Sequence, residues 1–262
     1  MHEQYLELAK SIALEAGKIM RRYYGKNPDS EMKDDDTIVT IADKEINSMV
    51  IKRIREKYAD HAVYGEEESY RRDTPHLWAC DPIDGTNPFS VDLAVSVFSL
   101  AYVYDGKPQV GVIYDPFSDR LFWAEKDKGA YVNGERMQVN KADFGRHSLL
   151  SYDQWSNADY DVLTPLSKLA AKTGTYMLSP GSTTHMAALV AQGSFVASIF
   201  PGTKGKHVDI AAAKVIVEEA GGKVTDLFGN EQRYDQDIRG AIVSNGIVHE
   251  ELVRVLQEGV KQ

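Results

Sequence analysis

The sequence predicts an α/β layered fold in two lobes with mixed sheets, and three observations carry that prediction. Two amphipathic helical patterns open the chain, and short segments rich in β-branched and aromatic residues follow from residue 62. Beyond residue 146 strand and helix patterns alternate.

Taken in order, residues 6–23 read as a helix, because Ala9, Ile12, Ala13, Ala16, Ile19, Met20 and Tyr23 recur at three- and four-residue steps. Gly25 stops it. A second helix is predicted over residues 43–58, where Ile46, Met49, Val50 and Ile54 share one face. The highly charged stretch between them, residues 32–42, reads as irregular. Strands are predicted at residues 62–64, 77–80, 95–104 and 110–114. Asn133-Gly134 supplies the two positive-φ positions of a tight turn, so residues 130–132 and 137–139 read as a hairpin. Further strands are expected at residues 147–152, 175–178, 195–200, 223–225 and 241–244. Helices alternate with them at residues 163–172, 182–192, 208–220 and 248–258, the third ended by Gly221-Gly222. No Ser/Gly/Pro-rich linker interrupts the pattern. Residues 1–262 therefore read as a single unit with lobes of about 1–145 and 146–262.

Composition narrows the function classes. The chain carries 30 Lys+Arg against 39 Asp+Glu, a formal charge of −9, which argues against a polynucleotide partner. A lone cysteine, Cys80, cannot close an intramolecular disulfide and fits a reducing cytoplasm. No stretch approaches the roughly 18 apolar residues that span a bilayer, so no membrane role is expected.

The chemistry sits in carboxylates placed where strands end or helices begin. Gly65-Glu66-Glu67-Glu68 follows one predicted strand, and Asp81-Pro82-Ile83-Asp84-Gly85-Thr86 follows another. Lys33-Asp34-Asp35-Asp36-Thr37 forms an acidic loop, and Asp209 opens an apolar helix. A turn at Pro82-Ile83 can aim Asp81 and Asp84 at one point, with the Ile83 carbonyl as a further hard oxygen. Such a donor set favours Mg²⁺ or Mn²⁺. Gly85 lets the backbone approach a ligand, and Gly85 and Thr86 can offer amide donors to a phosphate. Without cations, Glu66, Asp81, Asp84 and Asp209 would repel one another and any phosphate ester.

These segments, with Val208-Asp209-Ile210-Ala211-Ala212, resemble the signature segments of the inositol monophosphatase family of metal-dependent, lithium-sensitive phosphatases. The hairpin Gly129 to Gly134 and the run Glu218-Glu219-Ala220-Gly221-Gly222 are similar to that family too. The resemblance implies a layered αβαβα sugar-phosphatase-like fold and a Mg²⁺-dependent phosphomonoesterase acting on inositol, polyol or sugar monophosphates. It implies two to three cations: Glu66, Asp81 and the Ile83 carbonyl hold one, Asp81, Asp84 and Asp209 hold a second, and Glu66 with Glu67 nearby serves a third. Gly85 and Thr86 would bind the phosphate beside Asp84, and a metal-activated water would attack phosphorus in line. A homodimer and a small phosphate-ester substrate complete the implication.

Two departures bear on substrate. In inositol-specific members an Asp commonly sits three residues before the Thr of a Val-Thr pair and orients the water; here Thr37 holds that position before Val39-Thr40. Lys33 to Asp43 resembles instead the pattern of bisphosphate nucleotidase and histidinol-phosphatase relatives, with Ile38 in place of a proline. Asp35, paired with Thr86, is therefore assigned as the water-orienting base, with Asp34 and Asp36 as alternatives. Second, the Glu that contacts substrate hydroxyls shortly before the distal Asp is missing from residues 200–207, where Lys204 and Lys206 stand. A 3′(2′),5′-bisphosphate nucleotidase or histidinol phosphatase is the alternative within the superfamily. A non-catalytic binding protein on the same scaffold is the alternative outside it.

Blander readings attach to several residues. Glu67 and Glu68 read equally as a solvated acidic edge. Cys80 reads as a buried structural thiol, and His185 and His207 as helix-surface or satisfied polar residues.

Overall fold

A computed structural model describes residues 2–26, 30–32, 38–70, 73–155, 158–201 and 207–260. In chain order its elements are α1 (Glu3–Tyr23), β1 (Ser30–Met32), β2 (Ile38–Thr40), α2 (Ile41–Lys57), β3 (Ala62–Gly65), β4 (His76–Asp84) and α3 (Thr86–Ser90). There follow β5 (Val97–Tyr104), β6 (Lys107–Asp115), β7 (Arg120–Glu125), β8 (Ala130–Val132), β9 (Glu135–Met137) and β10 (Leu149–Tyr152). The chain closes with α4 (Leu163–Thr173), β11 (Tyr176–Leu178), α5 (Thr183–Ala191), β12 (Ala197–Phe200), α6 (His207–Glu219), β13 (Lys223–Thr225), β14 (Ala241–Ser244) and α7 (His249–Val260).

Two mixed sheets organise these elements. The seven-stranded sheet runs β3-β4-β5-β6-β7-β8-β9, and the five-stranded sheet runs β11-β10-β12-β14-β13. In the first only β3 and β4 are parallel. In the second β10 is parallel to both β11 and β12, while β14 runs antiparallel to its neighbours.

The period of two along β5 explains how the first sheet feeds two cores. Phe98, Leu100 and Tyr102 point to a core shared with Ile12 and Met20 of α1 and Ile46 and Ile54 of α2. Val97, Ala101 and Val103 point the other way, to a core shared with α5 and α6. Helices α4 and α7 cover the far face of the second sheet through Leu166, Leu169, Leu252 and Leu256. The result is the αβαβα stack that the family resemblance implies. Because α6 is sandwiched between sheets, every residue from His207 to Val217 is buried, which accounts for its apolar run. Its approach to β6 depends on Gly111, where a Cβ would stand 2.5 Å from the Ala212 carbonyl oxygen and 2.7 Å from Val215 Cγ1.

Several boundaries differ from the sequence reading. Helix α2 begins at Ile41, two residues early, because Asp43 Oδ2 accepts hydrogen bonds from Thr40 N (2.9 Å) and Thr40 Oγ1 (2.5 Å) and so closes the helix start. The second strand of the Asn133-Gly134 hairpin is Glu135–Met137 rather than 137–139, since a two-residue turn, with φ of 50° and 86°, brings Val132 directly opposite Glu135. Strands β1, β2 and β7 are additional. Charged flanks hid the first pair, and β7 lies between Asp119 and Asp127, which turn the chain with positive φ. Among the described residues no helix is long and apolar enough to cross a membrane.

Candidate metal and phosphate site

The predicted turn at Asp81–Asp84 is a bulge inside β4. Pairing with β5 follows one register up to Asp81↔Ser99 and resumes shifted at Asp84↔Val97. Pro82 has no N–H to give to the ladder, and Asp81 Oδ1 accepts the Ile83 N–H at 3.0 Å within the irregularity. The strand thus continues through the motif instead of ending before it. The bulge still aims both carboxylates to one side.

Asp209 meets them from the first turn of α6. One carboxylate oxygen from each of Asp81, Asp84 and Asp209 lies within 4.8 Å of the other two, and all three residues are buried. The connection is built through the start of α5. Asp84 Oδ2 accepts hydrogen bonds from Ser182 Oγ (2.5 Å) and Thr184 N (2.9 Å), while Thr184 Oγ1 donates to the Asp209 carbonyl at 2.7 Å. Helix α5 is fixed in turn by buried His185, whose Nδ1–H donates to the Val95 carbonyl at 2.7 Å while its Nε2 faces the Arg120 guanidinium at 2.9 Å.

Gly85 makes the close approach possible. Its φ is 87°, and a Cβ there would stand 3.0 Å from the Gly181 carbonyl oxygen and 3.1 Å from Ser182 Cβ. Thr86 follows, its hydroxyl 3.0 Å from the Ile83 carbonyl and 3.5 Å from Asp43 Oδ1.

Burial, then the neighbouring charges of Asp209 and Asp153, push the Asp84 carboxyl up to about 8. Burial raises Asp43 to about 7, with Glu66 and Glu67 adding to the rise. A buried, oxygen-only, acidic donor set of this kind fits hard divalent cations, which would reverse the sign of the local field.

The structure brings together Asp81, Ile83, Asp84, Gly85, Thr86 and Asp209. Glu66 and Glu67 are half-buried beside it, outside the three-carboxylate group but close enough to act on Asp43. Asp34, Asp35 and Asp36, like Lys33, Lys204 and Lys206, lie outside the described residues.

Motif reading passed over Asp43, whose Oδ1 lies 3.5 Å from the Thr86 hydroxyl. The signal was the Thr40-x-x-Asp43 spacing, which turns the third helical side chain back toward the helix start. Asp153 at the end of β10 was missed too; Thr183 Oγ1 donates to its Oδ2 at 2.8 Å.

Cys80 is fully buried with its thiol pushed well up by burial, in keeping with a structural thiol. His207 is not on a helix surface: it is fully buried, edge-on to the Tyr64 ring at 4.3 Å, and so pins the start of α6 to β3.

Comparison with known proteins agrees with this geometry. The model of the inositol monophosphatase family matches residues 1–261. A fructose-1,6-bisphosphatase/inositol-1-monophosphatase of Thermotoga maritima is 31% identical over 260 residues, covering 98% of this chain and 97% of that protein. Human inositol monophosphatase 1 is 29% identical over 268 residues, covering 97% and 95%. Among solved structures, a Thermotoga maritima IMPase superposes with a TM-score of 0.89 at 30% identity, covering 98% of each chain. An IMPase/NADP phosphatase complexed with Mg²⁺ and phosphate gives 0.83 at 26% identity, covering 97% and 95%. With the acidic centre assembled from the same segments that carried the resemblance, the chain belongs to the inositol monophosphatase family and is a phosphoric monoester hydrolase.

Proposed function

We propose that the chain is a Mg²⁺-dependent phosphatase that hydrolyses inositol, polyol or sugar monophosphates. The convergence of buried Asp81 and Asp84 of β4 with buried Asp209 of α6 supports this reading more than any other feature. Asp81, Asp84 and Asp209 would hold two cations, with Glu66 and the Ile83 carbonyl completing the first and Glu66 and Glu67 serving a third. Mn²⁺ suits the same oxygens. Bound cations supply positive charge to the phosphate oxygens and acidify the attacking water.

The chain's own groups do the rest. Gly85 and Thr86 place the phosphate by backbone amides, and the Thr86 hydroxyl with the Asp43 carboxylate orients the water and takes its proton. Burial raises the Asp43 carboxyl from its ordinary value, which favours its taking up a proton. Asp43 is given this role because its Oδ1 lies 3.5 Å from the Thr86 hydroxyl; Asp35, expected there from the sequence, lies outside the described residues.

A phosphate-release screen tests the reading, using myo-inositol 1-phosphate, fructose 1,6-bisphosphate, 3′-phosphoadenosine 5′-phosphate and histidinol phosphate with Mg²⁺. Preference for the nucleotide bisphosphate or histidinol phosphate would replace the polyol assignment. Asp81→Asn and Asp209→Asn should each lower turnover at least about 100-fold. Near-normal rates in either would overturn the shared-cation arrangement. We also read residues 1–262 as one phosphatase unit, cytoplasmic and homodimeric, which fractionation and light scattering would check.

A further inference from the structure

Three short segments meet beside the acidic centre, and three hydrogen bonds join them pairwise. Thr184 N–H donates to Asp84 Oδ2 at 2.9 Å, Ser96 Oγ donates to the Gly85 carbonyl at 2.7 Å, and His185 Nδ1 lies 2.7 Å from the Val95 carbonyl. Residues 84 and 85, 95 and 96, and 184 and 185 are chain neighbours, so these bonds close a ring. It runs from Asp84 through Gly85, Ser96, Val95, His185 and Thr184 back to Asp84. In the reading above Asp84 holds a cation and Gly85 holds the phosphate. The ring ties the one to the other.

Its closure depends on which imidazole nitrogen of His185 carries the proton. A carbonyl oxygen only accepts, so the bond to Val95 needs the proton on Nδ1. Half-buried Arg120 of β7 meets that requirement from outside the ring. Its Nη2 lies 2.9 Å from His185 Nε2, and a guanidinium only donates, so Nε2 is the acceptor and the proton is left on Nδ1.

The latch is itself held. Arg120 Nη2 also donates to Oδ2 of buried Asp115 at 3.1 Å, and that oxygen stands 3.6 Å from His185 Nε2. Arg120 Nη1 reaches Gln192 Oε1, just past the end of α5, at 3.4 Å. One guanidinium thus grips α5 at its first turn and beyond its last. Burial holds the His185 imidazole below its ordinary value, in keeping with a nitrogen that accepts. An apolar side chain in the first turn of α5 would avoid the cost of burying an imidazole and a carboxylate together, but it would leave the ring open.

We infer that His185, its tautomer set by Arg120, is a positioning residue for hydrolysis: it closes the ring that holds the cation ligand Asp84 and the phosphate-binding Gly85 in one fixed relation. The inference rests on the cation-dependent phosphatase reading above.

Nitrogen NMR of the histidine side chains and steady-state kinetics test it together. In wild type at pH 7, the imidazole whose signals vanish in His185→Asn should be the Nδ1–H tautomer. In Arg120→Met that imidazole should take a second proton, on Nε2 toward Asp115, at a higher pH than in wild type. His185→Gln can accept from Arg120 but has no donor where Nδ1 stands. With Mg²⁺ and the best ester of the screen above, it should lower kcat about 10- to 100-fold and raise half-saturating Mg²⁺. His185→Asn, whose amide nitrogen replaces Nδ1, should recover most of that loss. Ser96→Ala opens the ring at another bond and should shift both quantities in the same direction; with the wild-type spectrum it decides the matter if the His185 variants do not fold. The double variant should lose no more than the larger single loss, since a ring already open cannot be opened again.

An Nε2–H tautomer in wild type, or an unmoved titration in Arg120→Met, would overturn the inference. So would additive losses, equal losses in His185→Gln and His185→Asn, or wild-type kcat and Mg²⁺ response in the folded variants. A wild type that releases phosphate from none of the esters would overturn the phosphatase reading and the inference with it.

Discussion

Replacing Asp84 by Asn should stabilise the cation-free protein while weakening its response to Mg²⁺. In the folded chain burial, Asp209 and Asp153 raise the Asp84 carboxyl to about 8, against an ordinary value of 3.8. For a carboxyl shifted upward, the folded state binds the proton more tightly than the unfolded state, so stability is lost as pH rises above 3.8 until about 8. At pH 7 the chain keeps Asp84 protonated at a cost of about 1.4 kcal/mol per pH unit, roughly 4 kcal/mol in all. Asn carries no charge and can still accept the Thr184 N–H, so a gain of roughly 2–4 kcal/mol is expected in EDTA. For a chain of this size that corresponds to a Tm higher by roughly 5–15 °C in scanning calorimetry. Added Mg²⁺ should stabilise the wild type by about 2.7 kcal/mol for a cation at a hundredfold excess over Kd, raising its melting temperature, and should stabilise the variant less, since the cation that needs Asp84 is lost. A cation-free variant that melts below wild type would refute the reasoning, as would an equal response to Mg²⁺.

Other perturbations separate catalysis, packing and pH. Asp43→Asn should lower kcat by about 10²- to 10⁴-fold with Mg²⁺ affinity retained, and by calorimetry the cation-free variant should melt no lower than wild type, because relief of the burial that raises Asp43 to about 7 offsets the loss of about 1 kcal/mol of capping energy. Gly111→Ala drives a methyl into the Ala212 carbonyl and Val215; urea unfolding should report a loss of about 1–3 kcal/mol, and titration calorimetry a weaker Mg²⁺ site because α6 carries Asp209. His249 is fully buried between Ser244 Oγ (2.8 Å) and Thr225 Oγ1 (3.0 Å), and burial, then Lys223, lower it to about 4. Its stabilisation is complete above pH 6.5 and is lost as pH falls toward 4, so wild type should lose up to about 3 kcal/mol more than His249→Gln across that window in denaturant titrations.

What the sequence made legible follows a physical division. Asp81, Asp84 and Asp209 were readable because each belongs to a short segment whose composition has one chemical purpose. Helix α6 was readable because a run buried on all sides has little other outlet than a central layer. Asp43 and Asp153 were harder. Asp43 does two jobs at once, and its helix-start role masks its position opposite Thr86, while Asp153 gains meaning only when β10, β12 and α5 converge. Strand β7 and the β1–β2 pair were obscured because short strands flanked by charges carry little periodicity of their own.

The bonds from Ser182 and Thr184 to Asp84 span 98 and 100 residues of chain, and Asp209 lies farther still. Asp81 and Asp84 are thus fixed to a partner carboxylate that lies far along the chain, and the full set of charges gathers only when those distant segments meet. The full penalty of gathered negative charge arises only once α5 and α6 are docked between the sheets. Divalent cations then act on the folding landscape as well as on phosphate: they favour the final docking over the open, half-formed chain. Catalytic competence becomes a report that the whole polypeptide has closed.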